Sequence, residues 1–370
     1  MSRRLPVVLA ALAAAVPALA QDAGDVFQQP KKGFRFAGDA MLRYERTQDI
    51  PDGTGDTSNE KRWRLQARPR LELSVGPFEF GVGGELNYSQ DENDKPPAGQ
   101  DTLTLVRDNY RSRDVRLDLA FGKLKLGPVV AQGGRFAMPI PFTEMVWDRD
   151  LRPQGGAAGI ELGGQGSLSR FALTGIYAQG SHVFDDESRM YGGAAELKLA
   201  TGAASSVQLV GAYLKFDRLD QLSSPIRRQN TRRGGALANP YDVVDGVLRV
   251  STTGQMPVTL VADYCWNTAV DTDNRGLWLA AILGSLTLTP ARLEYTFARV
   301  DKDATLAAFG GDDFFWGTGW EGHRADLGRG AGRNSSVHLV AQWQRFKDSA
   351  NPLVREQWVK RYRVEYRASF

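Results

Sequence analysis

The chain has 370 residues, 42% of them hydrophobic and 24% charged, with a mean hydropathy of -0.36 and a formal charge of +3. Beyond the amino terminus no stretch approaches the roughly 20 consecutive apolar residues of a membrane-spanning helix, which excludes a helical membrane protein. The single cysteine, Cys265, excludes an intrachain disulfide framework.

The first twenty residues read as an export signal. Arg3 and Arg4 precede an apolar run from Leu5 to Leu19, and Ala18-Leu19-Ala20 supplies a small-residue cleavage site before Gln21. Residues 1–20 are expected to be removed, leaving one domain over 21–370. Two of the positive charges leave with the signal, so the placement of charge matters more than its total.

From Gly33 onward apolar and polar residues alternate with a period of two. The first predicted strand sets Phe34, Phe36, Ala40, Leu42 and Tyr44 against Arg35, Asp39, Arg43 and Glu45. The second sets Trp63, Leu65, Ala67, Leu71, Leu73 and Val75 against Arg62, Arg64, Gln66, Arg68, Arg70 and Glu72. A Gly/Asp/Thr-rich loop over 47–61 lies between them, only Gly76-Pro77 follows, and a third strand runs through Phe78, Phe80, Val82, Leu86 and Tyr88.

Short turns recur at Gly127-Pro128, 163–166, 201–204, 253–255, Thr289-Pro290 and 330–334, and long loops near 90–113, 137–156, 179–190, 217–242, 268–275, 301–320 and 347–357. These connections predict sixteen strands; fourteen or eighteen stay open, because the segments 113–126 and 321–329 are the least clearly marked. Long loop, short turn, long loop is the rhythm of an all-β, antiparallel up-and-down transmembrane β-barrel with short periplasmic turns and long external loops. Such a barrel needs only one apolar face per strand, which suits 40 glycines and 10% aromatics.

The carboxyl-terminal strand alternates strictly. Tyr362, Val364, Tyr366, Ala368 and Phe370 fall on one face, with Arg361, Arg363, Glu365, Arg367 and Ser369 on the other. A closed barrel returns this strand to the first and leaves no edge in lipid.

The run Gly134-Arg-Phe-Ala-Met-Pro-Ile-Pro-Phe-Thr-Glu-Met-Val-Trp-Asp-Arg-Asp-Leu-Arg-Pro-Gln-Gly155, and later Gly317-Thr-Gly-Trp-Glu-Gly322, resemble the putative-porin family of Gram-negative outer membranes, distantly like the phosphate-selective porins. The resemblance implies a water-filled channel for passive diffusion of small hydrophilic solutes or ions, an outer-membrane location among lipid and lipopolysaccharide, and no cofactor. Among porins a homotrimer is common. The terminus resembles those of outer-membrane proteins whose last strand is read by the barrel-assembly machinery, which assigns that role to Tyr362, Val364, Tyr366 and Phe370. No compact lysine ladder is present, so phosphate selectivity is not carried over.

Residues 138–155 form the third external loop, the one that in porins commonly folds into the barrel. Pro139, Pro141 and Pro153 stiffen it, Phe142, Met145, Val146, Trp147 and Leu151 give it packing surface, and Glu144, Asp148, Arg149, Asp150 and Arg152 would face the pore. If the barrel closes as expected, the last, first and second strands stack Arg35, Arg43, Arg62, Arg64, Arg68, Arg70, Arg361, Arg363 and Arg367 on one inner wall. Only Asp39, Glu45, Glu72 and Glu365 oppose them there. Clustered guanidinium groups concentrate anions, so this wall predicts an anion-leaning channel.

Catalysis has little support: His182, His323 and His338 are the only histidines, and no nucleophile motif adjoins them. Cys265 lacks metal-ligand neighbours, the acidic run Asp91, Glu92, Asp94 reads as a solvated loop, and no metal is expected. Nucleic acid is not suggested, because the arginines interleave with hydrophobes that lipid would cover. The rival reading is a plugged or adhesive barrel whose external loops bind partners.

Overall fold

The computed structural model describes residues 33–91, 114–165, 167–181, 187–222, 230–311, 313–314 and 317–370. The export signal and most of the 90–113 loop lie outside these residues, as does His182.

Sixteen strands close into one antiparallel barrel. They are β1 (Gly33–Pro51), β2 (Thr57–Val75), β3 (Phe78–Asp91), β4 (Asp114–Leu126), β5 (Val129–Arg135), β6 (Pro153–Gln165), β7 (Leu168–Ser181) and β8 (Arg189–Gly202). The second half comprises β9 (Ser205–Asp217), β10 (Tyr241–Thr252), β11 (Val258–Asn267), β12 (Arg275–Gly284), β13 (Ala291–Val300), β14 (Trp320–Gly332), β15 (Ser335–Arg345) and β16 (Val359–Ser369). Each pairs with its sequence neighbours and β1 pairs with β16, so the expected count and topology hold. The two least clearly marked segments are β4 and β14. No helix among the described residues is long and apolar enough to cross a membrane.

Alternation becomes inside and outside. Phe34, Phe36, Trp63, Leu73, Phe80 and Val364 lie exposed on the outer surface, while Arg43, Glu45, Arg62, Arg64, Arg361 and Arg363 are buried in the lumen. The first two turns use Gly76 and Gly127 at φ 58° and 57°, followed by proline, the left-handed first position that a two-residue hairpin requires.

The seam is closed by the chain's last residue. Gly38 N–H donates to Phe370 O at 2.8 Å and Phe370 N–H returns the bond to Gly38 O at 2.9 Å. The Phe370 ring stacks on Phe36 with centroids 5.4 Å apart and lies over Gly38, where an added Cβ would sit 2.5 Å from the ring.

One connection differs from expectation. The loop assigned to 47–61 shrinks to 52–56, because β1 and β2 continue pairing beyond Glu45 through an irregularity between Thr47 and Ile50. A short helix, α1 (Pro352–Arg355), caps this extended hairpin, with Asn351 Nδ2 donating to Gly53 O at 2.8 Å.

Candidate functional site: the lumen and its constriction

Two loops turn inward. In the connection from β5 to β6, Phe136, Ile140, Met145, Val146, Trp147 and Leu151 are all buried; in the connection from β13 to β14, so are Ala304, Leu306, Phe309 and Phe314. They pack on inward residues of β6–β13, among them Ile176, Leu214, Val243, Val261, Trp278 and Val300. Each such side chain contributes roughly 1.5–3 kcal/mol on burial, enough to offset the roughly 1–2 kcal/mol per residue needed to order the backbone.

The contacts are specific. Phe309 stacks between Trp147 (5.3 Å) and Phe216 (5.6 Å). Asp148 N–H donates to Phe309 O at 2.7 Å, and Gly311 N–H to Glu144 O at 2.6 Å, so the loops form one hydrogen-bonded unit. Thr143 Oγ1 donates to the carboxylate of Asp263 on β11. Met145 seats against Gly276, where a Cβ would come within 2.6 Å of its sulfur.

Sequence reasoning overlooked the second loop. Asn230 ties it to the 217–242 connection, donating from Nδ2 to Thr305 O at 2.8 Å and accepting from Ala307 N–H at 2.9 Å. Asp303 accepts from Tyr241 Oη at 2.6 Å and from Asn239 Nδ2 at 2.8 Å. The available signal was the apolar run Leu306-Ala-Ala-Phe309 inside a stretch read only as a long external loop.

With β6–β12 and the loop end of β13 covered, the remaining opening of about 290 Å³ lies against the other wall, with Arg292 and Glu294 of β13 at its margin. Arg43, Arg64, Arg68, Arg363 and Arg367 line it from β1, β2 and β16, while Glu144, Asp148, Arg149, Asp150 and Asp313 reach it from the loops. Several opposing charges touch. Arg43 grips Asp313 with both terminal nitrogens, at 2.6 and 3.0 Å. Arg68 meets Asp150 at 2.7 Å, and Arg324 on β14 meets Glu144 at 3.1 Å and Glu294 at 2.9 Å. Burial would raise the Asp313 carboxyl, but Arg43 and Arg363 hold it well below the usual carboxylate range.

The other arginines named from sequence take varied places. Arg363 Nη1 donates to Asp313 O at 2.7 Å, and Arg367 Nε to Glu365 at 2.8 Å. Arg62 and Arg361 sit one pairing step toward the loops, beside Glu45 and Thr47. Arg35 and Arg70 lie near the short-turn end with Glu72, at 3.8 and 2.9 Å. Arg152 binds Asp118 on β4 at 3.0 Å, and Arg149 reaches Glu144 at 3.8 Å. Trp147 is packed in the loop core, with its indole N–H donating to Leu151 O. Tyr362, Val364 and Tyr366 face outward, and Phe370 closes the seam.

Structure also places a serine beside a histidine, which sequence did not suggest: Ser336 Oγ lies 2.9 Å from His338 Nε2, and His338 Nδ1 lies 2.8 Å from Asp326. Asp326 lies on β14 and Ser336 and His338 on β15, all three in strands of the polar inner wall. Cys265 is buried beneath the loops, and no cluster of metal-ligating residues occurs among the described residues.

The barrel shares its fold with Pseudomonas putida OprB at high pH (TM-score 0.57, 12% identity, 91% of this chain and 94% of that one) and at low pH (0.54, 12%, 91% and 93%). It is also similar to Salmonella typhi OmpF in complex with daunomycin (0.51, 12%, 91% and 97%). No curated protein sequence matches it. The family described as "Putative porin" matches residues 31–239, more than half of the chain and inclusive of the inward-folding third loop, and the chain belongs to that family.

Proposed function

We propose that the barrel is an outer-membrane channel through which small hydrophilic solutes diffuse, with charge rather than a binding pocket governing passage and no catalytic step. The carrying observation is the constriction, where arginines on β1, β2 and β16 face carboxylates carried by two inward-folded loops. A solute crossing there meets a field transverse to its path, and charges held by low-dielectric walls keep that field strong.

Nine guanidinium groups and nine carboxylates line the opening among the described residues, so their net charge cancels at the narrowest level. Arg62 and Arg361, set toward the loop end, outnumber Glu45 beside them by one charge and so add positive potential at the approach. A modest anion preference follows from that excess. The same reading takes residues 21–370 as the secreted barrel after signal removal and the homotrimer as its assembly. Phe370 serves as the terminus read by the assembly machinery, and deleting it should lower the yield of heat-modifiable barrel without altering export.

Conductance in a planar bilayer tests the channel. Purified protein should give discrete steps, and removing residues 143–152 should enlarge them. A folded barrel without conductance would identify a plugged scaffold instead. Equal conductance with and without the loop would remove 143–152 from the constriction.

A further inference from the structure

Arg324 on β14 gathers side chains from four other parts of the chain. Its Nη1 meets Glu144 of the third loop at 3.1 Å and its Nη2 meets Glu294 on β13 at 2.9 Å. Its Cζ lies over two rings, 5.7 Å from the centre of Trp278 on β12 and 5.1 Å from that of Phe314 in the 301–319 loop. Those rings meet edge to face, at 83° with centroids 5.4 Å apart, so the guanidinium occupies the corner between them. Trp278 and Phe314 are buried, and the Arg324 side chain is 12% exposed.

A planar guanidinium can set two N–H edges on two carboxylates while its face stays on aromatic rings; an ammonium, a compact point charge, cannot serve all four groups at once. The groups it holds are themselves fixed. Gly311 N–H donates to Glu144 O at 2.6 Å, and a Cβ at Gly311 would sit 2.7 Å from Glu144 Cβ, so the two loops touch directly behind the carboxylate. Gln344 on β15 donates from Nε2 to Phe314 O, and Arg292 and Thr296 Oγ1 donate to Glu294. Glu144, Arg292, Glu294 and Arg324 all line the opening, so these two cations balance these two carboxylates while Arg324 is in place. Arg149 stands farther from Glu144, at 3.8 Å, and is exposed.

We propose that Arg324 is a positioning residue for permeation: it fixes the Glu144 carboxylate of the third loop and the Phe314 ring of the 301–319 loop to β12–β14, and so sets both the size of the opening and the field a solute meets along this edge. The proposal rests on the channel reading. Charge and planarity have separate consequences. Loss of the charge leaves Glu144 and Glu294 against Arg292 and draws cations, whereas loss of the planar fork with the charge kept preserves the field and frees the loops.

The test is a charge-and-shape series on the full barrel in planar bilayers. Arg324→Lys should keep the wild-type zero-current potential in a KCl gradient while the spread of single-channel step sizes grows at least about twofold. Arg324→Gln should show the same spread and a potential moved toward cation preference. Adding Glu144→Gln to Arg324→Gln should return the potential to wild type and leave the spread broad. Phe314→Leu, which keeps every charge, should reproduce the Lys variant. Sharp wild-type steps from the Lys variant would mean that charge alone seats the loops, and a Gln variant with the wild-type potential would mean that this edge carries no field; either overturns the proposal. Hydrogen exchange gives a readout independent of current: in the Lys variant segments 139–151 and 301–311 should both exchange at least about tenfold faster while the β14–β16 ladder keeps its rates. Unchanged exchange in the loops, or faster exchange confined to the ladder, assigns Arg324 to the barrel wall and overturns the positioning role. A wild-type barrel that is folded by heat-modifiable migration yet carries no current defeats the channel reading, and the exchange rates then decide separately whether Arg324 holds the loops.

Discussion

Along β14–β16 and β1–β2 the buried inward positions are mostly charged or amide side chains, such as Arg43, Glu45, Arg64, Gln342 and Arg363, whereas along β6–β13 most are aliphatic or aromatic, such as Ile176, Leu214, Val243 and Trp278. Both walls line the same lumen. The difference lies in what they meet: the first faces water and ions, the second faces folded loop. A barrel strand can therefore be apolar on both faces without losing register, provided the inner face is covered by protein. The polar wall then stands opposite a loop surface whose position is fixed by packing, and the width of the opening follows from how well the apolar wall holds that surface.

The most disruptive way to break this contrast is to give the apolar wall the chemistry of the polar one. Leu214→Asp places a carboxylate where the side chain is fully buried beneath the loops, and an unpaired buried charge costs several kcal/mol. The barrel ladder does not depend on that side chain, so heat-modifiable protein should persist while the loops unseat and conductance rises. Wild-type conductance from the variant would separate the loops from the constriction.

A smaller perturbation removes one contact instead of reversing polarity. Phe309→Ala takes away the ring stacked between Trp147 and Phe216, at a cost of about 3–5 kcal/mol by analogy with other buried aromatic truncations. Both loops should loosen together, because the Asp148 N–H bond to Phe309 O joins them. The expected result is a noisier channel with a broadened distribution of step sizes. A change confined to thermal stability, with sharp wild-type steps, would show that Phe309 supports the barrel and not the opening.

The contrast between walls also explains what was legible in the sequence. On β1, β2 and β16 one face meets lipid and the other water, so Arg62, Arg64 and Arg68 alternate with Trp63, Leu65 and Ala67, and strand, face and closure can be read directly. On β12 the segment Gly276-Leu-Trp-Leu-Ala-Ala-Ile-Leu283 is apolar throughout; a period of two is absent, and the inner partner cannot be named without knowing what fills the lumen. The third loop was legible through its own prolines and aromatics. The 301–319 loop was not, because its anchors, Asn230 and Asp303, are ordinary polar residues whose partners lie 62 to 88 positions away. Asp313 was invisible for the same reason: its partner Arg43 is 270 residues distant.

Charge on the polar wall offers a finer comparison. Neutralising Arg62, Arg64 and Arg68 together leaves the loop carboxylates opposite them, so zero-current potentials in a KCl gradient should move toward cation preference. The shift should be larger at 0.01 M, where the Debye length is about 30 Å, than at 0.1 M, where it is about 10 Å. A potential indistinguishable from wild type at both salt concentrations would sink the claim that this wall biases permeation.

The smallest expected effect is a null response to mild acid, and it tests whether ion pairs or apolar packing hold the loops at the polar wall. Asp313 lies in the 301–319 loop, outside the strands, and its carboxyl is held well below the usual range because Arg43 and Arg363 outweigh the opposing effect of burial. A carboxyl lowered in the folded state contributes its stabilisation fully above its ordinary value of about 4, and loses it only as pH falls through the lowered one. Between pH 7 and about 4, then, the grip of Arg43 on Asp313 should persist and single-channel conductance should stay level. Asp313→Asn keeps the shape and removes the charge, so it should place the loop as protonation would, at neutral pH. If wild-type conductance instead steps between pH 6 and 5 while the Asn variant does not, the Arg43 contact is titrating far above its assigned range, and the bidentate latch does not hold the loop.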